Sequence, residues 1–161
     1  MKFCVLALDY DGTIAREGRL DPGVRDSIRE ARVRGIVVVL VTGRILEDLR
    51  QVAGSLEIFD AVVAENGAVL RFPGGRTRVL GRSPPPALLD ELRRGKVDFA
   101  VGDCVLEADA AAAGRILAAV QKLECPLVLA FNRSRVMLLP QGISKATGLR
   151  EALATLRLSL H

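Results

Sequence analysis

Three groups of residues in this 161-residue chain could act on a phosphate. The first is Asp9-Tyr10-Asp11-Gly12-Thr13, which sets two carboxylates one residue apart just after the apolar run 3–8. Such a pair, beside a glycine and a hydroxyl, can bind a hard cation and hold a nucleophile near phosphorus. The second is Thr42-Gly43, directly after the run 36–41. The third is Lys145, next to Ser144 where a helical pattern begins. A helix N-terminus presents free N–H groups to an anion, and a lysine there adds a full positive charge. A hydroxyl and N–H groups for phosphate oxygens, a lysine to neutralise developing charge and a metal to shield the carboxylates would together make a phosphate site. Each part also has a plainer reading. An Asp after a strand is often a turn residue or cap, Thr-Gly often only ends a strand, and a first-turn lysine is usually solvated. Their joint occurrence in this order argues for the site.

The elements that must position these groups follow from periodicity. The run 3–8 reads as a buried strand, and the C-terminal ends of such strands are where open α/β sheets gather ligands. Asp21-Pro22 starts a helix in which Val24, Ile28 and Ala31 recur at helical spacing, and Gly35 ends it. The β-branched run 36–41 reads as a central parallel strand. A helix over about 45–53 and a short strand at 61–64 follow, ending at Glu65-Asn66-Gly67. This β-α-β-α-β order predicts a parallel sheet with right-handed crossovers. Residues 69–72 and 76–80, around Pro73-Gly74-Gly75, read as a hairpin.

Pro84-Pro85-Pro86 is a stiff connector and a boundary. Beyond it the pattern predicts a helix at 87–94, a strand at 98–106, a helix at 109–123, and strands at 127–132 and 135–139 joined at Arg133-Ser134. Gly102-Asp103 reads as a bend inside the first of these strands. Ser144 caps a last helix to about 156. The expected fold is α/β: a Rossmann-like parallel sheet with a small inserted α+β unit. Core residues 1–82 are followed by an insert at 83–139 and a return segment at 140–161.

Composition sets limits. Half the residues are hydrophobic but only 4% are aromatic, with no Trp. The core must therefore come from aliphatic side chains, as in parallel strands covered on both faces. The net charge is +4, yet the arginines are scattered and no aromatics interleave them, which argues against a nucleic-acid partner. Cys4, Cys104 and Cys125 lie far apart, and the single histidine is His161, so no zinc set is readable. Buried reduced thiols and a cytoplasmic location are expected. The N-terminus does not read as a signal peptide, and no apolar stretch is long enough to cross a membrane.

The chain resembles the haloacid dehalogenase (HAD) superfamily of phosphatases. Within it, the likeness is to the group with a type IIB cap, which includes Cof-like sugar phosphatases, sucrose-phosphate phosphatase and mannosyl-3-phosphoglycerate phosphatase. Asp9-Tyr10-Asp11-Gly12-Thr13 matches the first motif, DxDGT, and Val41-Thr42-Gly43-Arg44 matches the second. Glu65-Asn66-Gly67-Ala68 matches a pattern common in the group, and Pro140-Gln141-Gly142-Ile143-Ser144-Lys145 matches the third motif.

The resemblance implies a Mg²⁺-dependent phosphomonoester hydrolase for a small phosphorylated metabolite, a sugar phosphate or a phosphoglycolate-like compound. It implies that Asp9 attacks phosphorus to give an aspartyl phosphate, and that Asp11 is acid and then base. The Asp9 carboxylate and the Asp11 carbonyl would hold Mg²⁺. Asp9, Asp11, Gly12, Thr42, Gly43 and Lys145 would surround the phosphate. Arg44 and Asn66 would face the cap and substrate, with Arg44 equally readable as a surface ion pair. Arg133 and Arg135 sit where a cap turn could touch an anionic substrate, a solvated turn being the default. A phosphosugar mutase would share the same intermediate.

The family pattern continues past Lys145 with a helix, a strand and a fourth motif, Gly-Asp followed by Asn-Asp, whose acids complete the Mg²⁺ shell. No such motif lies between Lys145 and His161. The expectation is weaker Mg²⁺ binding and a first strand left as an apolar sheet edge, prone to pair with another copy or a completing fragment. A module with weak or no catalysis, serving in binding or assembly, is the alternative.

Overall fold

The structure, a computed structural model, describes residues 4–132 and 134–158. Phe3, Arg133 and His161 lie outside the described residues. The first apolar run forms strand β1, Val5–Asp9. A small antiparallel ribbon follows, β2 (Ala15–Arg16) with β3 (Arg19–Leu20). Its strands are too short for a period-two pattern to announce them.

Helix α1, Pro22–Val33, begins where Asp21 accepts a hydrogen bond from the Gly23 N–H at 2.8 Å, with Pro22 in the first turn. Strand β4 (Val37–Val41), helix α2 (Leu46–Ala53) and strand β5 (Ala61–Ala64) come next. Strands β6 (Val69–Arg71) and β7 (Thr77–Val79) complete a five-stranded sheet of order β1-β4-β5-β6-β7. β1, β4 and β5 run parallel, β6 pairs antiparallel with β5, and β7 pairs antiparallel with β6.

The buried-strand reading of the first run needs correction. β1 pairs with β4 at the sheet margin, and Leu6 is 40% exposed. The thiol expectation holds for Cys104, which is buried, but Cys125 is half-buried and Cys4 exposed.

A second sheet is built from helix α3 (Pro86–Arg94), strands β8 (Phe99–Val101) and β9 (Leu106–Asp109), helix α4 (Ala113–Lys122), and strands β10 (Leu127–Asn132) and β11 (Arg135–Pro140). It is antiparallel throughout, in the order β10-β11-β9-β8. The single strand expected at 98–106 is two strands. Gly102 donates to the Val105 carbonyl at 2.9 Å and closes a turn between β8 and β9, so Gly102-Asp103 reverses the chain rather than bending it. The helix expected at 109–123 likewise starts later. Asp109 caps a 3-10 turn at Ala110–Ala112 before α4 begins.

Packing assigns a role to each face of the small sheet. Leu106, Ala108, Val136 and Leu138 join Leu88, Leu92, Ile116 and Val120 in a core under α3 and α4. The alternate residues turn the other way, and Val105, Met137 and Leu139 join the larger core around Tyr10, Leu40 and Val62. The last helix, α5 (Lys145–Thr155), returns to the larger sheet, where Ala152 and Leu153 pack on Val39, Val63 and Leu70.

Candidate active site

Strand register brings the first two groups together. Asp9 ends β1 opposite Val41, so Thr42 follows on the neighbouring strand at the same level. The loop after Asp9 turns on Tyr10, which is fully buried. Its hydroxyl donates to the Gly18 carbonyl at 3.0 Å, and its carbonyl accepts from Ile14 and Ala15 at 3.1 and 3.0 Å. Gly12 supplies the positive φ (77°) that this tight loop requires. With Tyr10 anchored, Asp9 and Asp11 emerge on either side of it, their side chains 43% and 42% exposed.

Lys145 is placed by the start of α5. Ser144 and Thr147 form a reciprocal capping box: the Ser144 N–H donates to Thr147 Oγ1 at 2.9 Å and the Thr147 N–H to Ser144 Oγ at 3.1 Å. Two glycines set the height of the helix. A Cβ on Gly67 would lie 2.0 Å from the Ser144 carbonyl oxygen, and one on Gly148 would lie 2.5 Å from the Gly67 Cα. This backbone-on-backbone approach brings Lys145 Nζ to 2.6 Å from Asp9 Oδ1.

Arg44, one residue beyond Gly43, holds the other carboxylate. Its Nε and Nη2 donate to the two oxygens of Asp11 at 2.8 and 2.7 Å, and its guanidinium lies 5.4 Å above the Tyr10 ring. The paired carboxylate strengthens the hold of Arg44 on its proton. The Arg44 backbone N–H donates to Thr42 Oγ1 at 3.1 Å, which leaves the threonine hydroxyl its own hydrogen to donate. Asn66, with φ at 53°, gives its backbone N–H to the Thr42 carbonyl and its side-chain amide to Met137 Sδ at 3.2 Å.

These groups share one cleft of about 720 Å³ between the sheets. Asp9, Asp11, Thr42, Gly43, Arg44, Asn66 and Lys145 all line it. Gly12 and Thr13 shape the loop but are not part of its wall. The opposite wall is a cross-strand row on the small sheet, Ala100, Glu107, Met137 and Ala130, paired in that order across β8, β9, β11 and β10. Phe131, 63% exposed, and Arg135, paired to Glu107 at 2.7 Å, complete that side. Arg135 was a candidate from the sequence, but the rest of this wall was not, because a strand pattern shows alternation without showing which face meets a cleft. The missed β8–β9 turn also concealed the pairing that creates the row.

Glu65 is the other residue whose place the sequence did not show. It is 1% exposed, and burial pushes its carboxyl up against the opposing pull of backbone N–H groups. Two carboxylates at the cleft mouth suit a hard cation that keeps part of its water shell. Among the described residues, no set of three His, Cys, Asp or Glu gathers closely enough to cage a metal without other ligands.

Residues 6–80 match the family model for haloacid dehalogenase-like hydrolases. Over this segment the chain is similar to haloacid dehalogenase-like hydrolases. The match spans the first two motifs and the Glu65-Asn66-Gly67 loop. Among curated relatives, a 5-amino-6-(5-phospho-D-ribitylamino)uracil phosphatase of Bacillus subtilis is 37% identical over 65 residues, covering 40% of this chain and 26% of the relative. A phosphoglycolate phosphatase of Aeropyrum pernix is 37% identical over 91 residues, covering 55% of this chain and 38% of the relative. The matched stretches thus span well under half of both relatives' lengths. The fold likeness is broader. A HAD subclass IIB sugar phosphatase superposes with a TM-score of 0.68 at 13% identity, covering 96% of this chain and 77% of that one. The small sheet and α5 therefore belong to a HAD fold as much as the matched segment does. No helix among the described residues is long and apolar enough to cross a membrane.

Proposed function

We propose that this chain is a member of the HAD superfamily and carries the phosphoryl-transfer site of a phosphomonoesterase, working in the cytoplasm on a small phosphorylated metabolite. The observation that carries the reading is Lys145 Nζ at 2.6 Å from Asp9 Oδ1, in a cleft shared with Asp11 and Thr42. A carboxylate neutralised by a lysine, at a strand end beside a buried hydroxyl, is equipped to meet a phosphate dianion and attack it. Asp9 bonds to phosphorus as the ester P–O bond breaks, and Asp11 gives its proton to the departing alcohol. Water then attacks phosphorus and gives a proton to Asp11. The bond from Asp9 to phosphorus breaks, and inorganic phosphate leaves. Thr42 and Lys145 donate to the phosphoryl oxygens throughout, with Gly43 leaving room for the backbone to approach.

Both oxygens of Asp11 accept from Arg44 in this structure. Proton transfer by Asp11 therefore follows the opening of at least one of these bonds. An incoming phosphate, a stronger acceptor for an arginine fork, provides the competitor. Asp9 and the Asp11 backbone carbonyl would hold Mg²⁺, which would offset the repulsion between carboxylates and phosphate. The small sheet, residues 83–139 in outline, acts as the cap that closes over the leaving group. The first substrates to try are 5-amino-6-(5-phospho-D-ribitylamino)uracil and phosphoglycolate, the compounds named in the two curated relatives. The test is p-nitrophenyl phosphate turnover with and without Mg²⁺, compared with Asp9→Asn. Equal rates for the two proteins would remove Asp9 as nucleophile.

A further inference from the structure

Glu65 is a large, fully buried side chain with a charge, and it lies outside the chemistry just described. Its carboxylate accepts the backbone N–H of Asp103 at 3.1 Å and that of Cys104 at 2.9 Å, both in the turn joining β8 to β9. The N–H of Leu46, the first residue of α2, faces the same carboxyl and favours its charged form. That helix start has no side-chain cap of its own, because Ile45 occupies the capping position. The Glu65 backbone N–H in turn donates to the Arg44 carbonyl at 3.0 Å. One residue thus ties together the Arg44 loop, the start of α2 and the second sheet.

The fit admits no slack. A Cβ on Gly102 would stand 2.5 Å from Glu65 Oε1 and 2.7 Å from Oε2. Only a glycine lets the turn approach the carboxylate this closely. The turn is continuous with the cleft wall: Ala100 lies two residues before Gly102, and Glu107 three residues after Cys104. A shift of the turn would move both. Asn66, the next residue along, grips the same wall through Met137.

We propose that Glu65 is a positioning residue: by clamping the 102–104 turn, it sets the height of the Ala100–Glu107–Met137 wall above Asp9 and Lys145. The wall is where a leaving group would lie, so Glu65 acts on substrate fit without touching the reacting atoms. This role rests on the phosphatase reading, but the clamp itself is physical and can be measured separately.

The experiment uses the full chain and three variants. In Glu65→Gln, one acceptor oxygen becomes an amide that faces N–H donors, and exchange of the Asp103 and Cys104 amide hydrogens should quicken on the order of tenfold, as for loss of a hydrogen bond to a charged group. Gly102→Ala should lower the thermal midpoint strongly in the wild-type background. It should do so far less in a Glu65→Ala background, where the colliding carboxylate is gone. For p-nitrophenyl phosphate, Glu65→Gln should raise KM several-fold with kcat held within about twofold, the signature of lost uniform binding.

Unchanged amide exchange, or strictly additive losses in the double variant, would overturn the clamp. Quickened exchange with an unchanged KM would overturn the positioning role and leave only a structural contact. A wild-type chain that turns over nothing would overturn the phosphatase reading, and the exchange and coupling measurements would then decide the clamp by themselves.

Discussion

Lys145 and Arg44 divide the two carboxylates of the first loop between them, and the division implies different chemistry for each. A lysine is a compact point charge on one oxygen of Asp9. The arginine fork occupies both oxygens of Asp11. Asp9→Asn should therefore lower p-nitrophenyl phosphate turnover by about 10³-fold or more while leaving the fold intact, as seen by circular dichroism. Arg44→Ala removes a charge-assisted contact available to the substrate phosphate and should raise KM by about tenfold, measured under the same conditions. Asp9, Asp11, Thr42, Arg44 and Lys145 were all legible in the chain as candidates, from their types at strand and helix ends, and the structure brings them to one cleft. Glu65 was not legible as a buried anchor. A glutamate between a strand and Asn66-Gly67 carries no sign of burial until the turn that covers it is in place.

Elements decide how those residues meet. α5 presents Lys145 to Asp9 only because Gly67 and Gly148 allow two backbones to touch. Gly148→Ala should push α5 away, costing about 1–3 kcal/mol of stability by chemical denaturation. It should also lower kcat by up to about 10²-fold, since a displacement near 1 Å at a reacting group has that effect.

The clamp at Glu65 carries a pH signature. Its folded-state carboxyl is raised by burial, so the folded protein holds this proton more tightly than the unfolded chain does. The stabilising contribution of Glu65 is then full below the ordinary carboxylate range and declines as pH rises through the folded value. The thermal midpoint of wild type relative to Glu65→Gln should accordingly fall as pH is raised through the acid range. Most elements were readable from the 3.6- and 2-residue periods: β4, β5, α1 and α5 fall where apolar spacing, Asp21-Pro22 and Ser144 put them. The β2–β3 ribbon and the β8–β9 turn were not, because pairs of two- to four-residue strands carry too few alternations to register.

In the molecule as a whole, the cleft exists because a second sheet folds back over the first, with helices on its far face and a polar and apolar row on its near one. Chelation should test the cation requirement at this scale. Dialysis against EDTA should abolish turnover and added Mg²⁺ should restore it, since Lys145 and Arg44 are already matched by Asp9 and Asp11 and leave the charge of a phosphate dianion uncompensated.

The amino-acid sequence by itself determined which chemical groups are present and in what order. It did the same for the parallel core and the antiparallel insert, because periodicity, caps and turn residues act over a few neighbours. Only the tertiary structure decided which groups touch. Lys145 meets Asp9 across 136 positions, and Arg44 meets Asp11 across 33. Glu65 meets a turn 38 and 39 positions away. Such pairings depend on strand register, on glycines that let backbones approach and on the burial of a charge, and these are properties of the packed chain rather than of any segment within it.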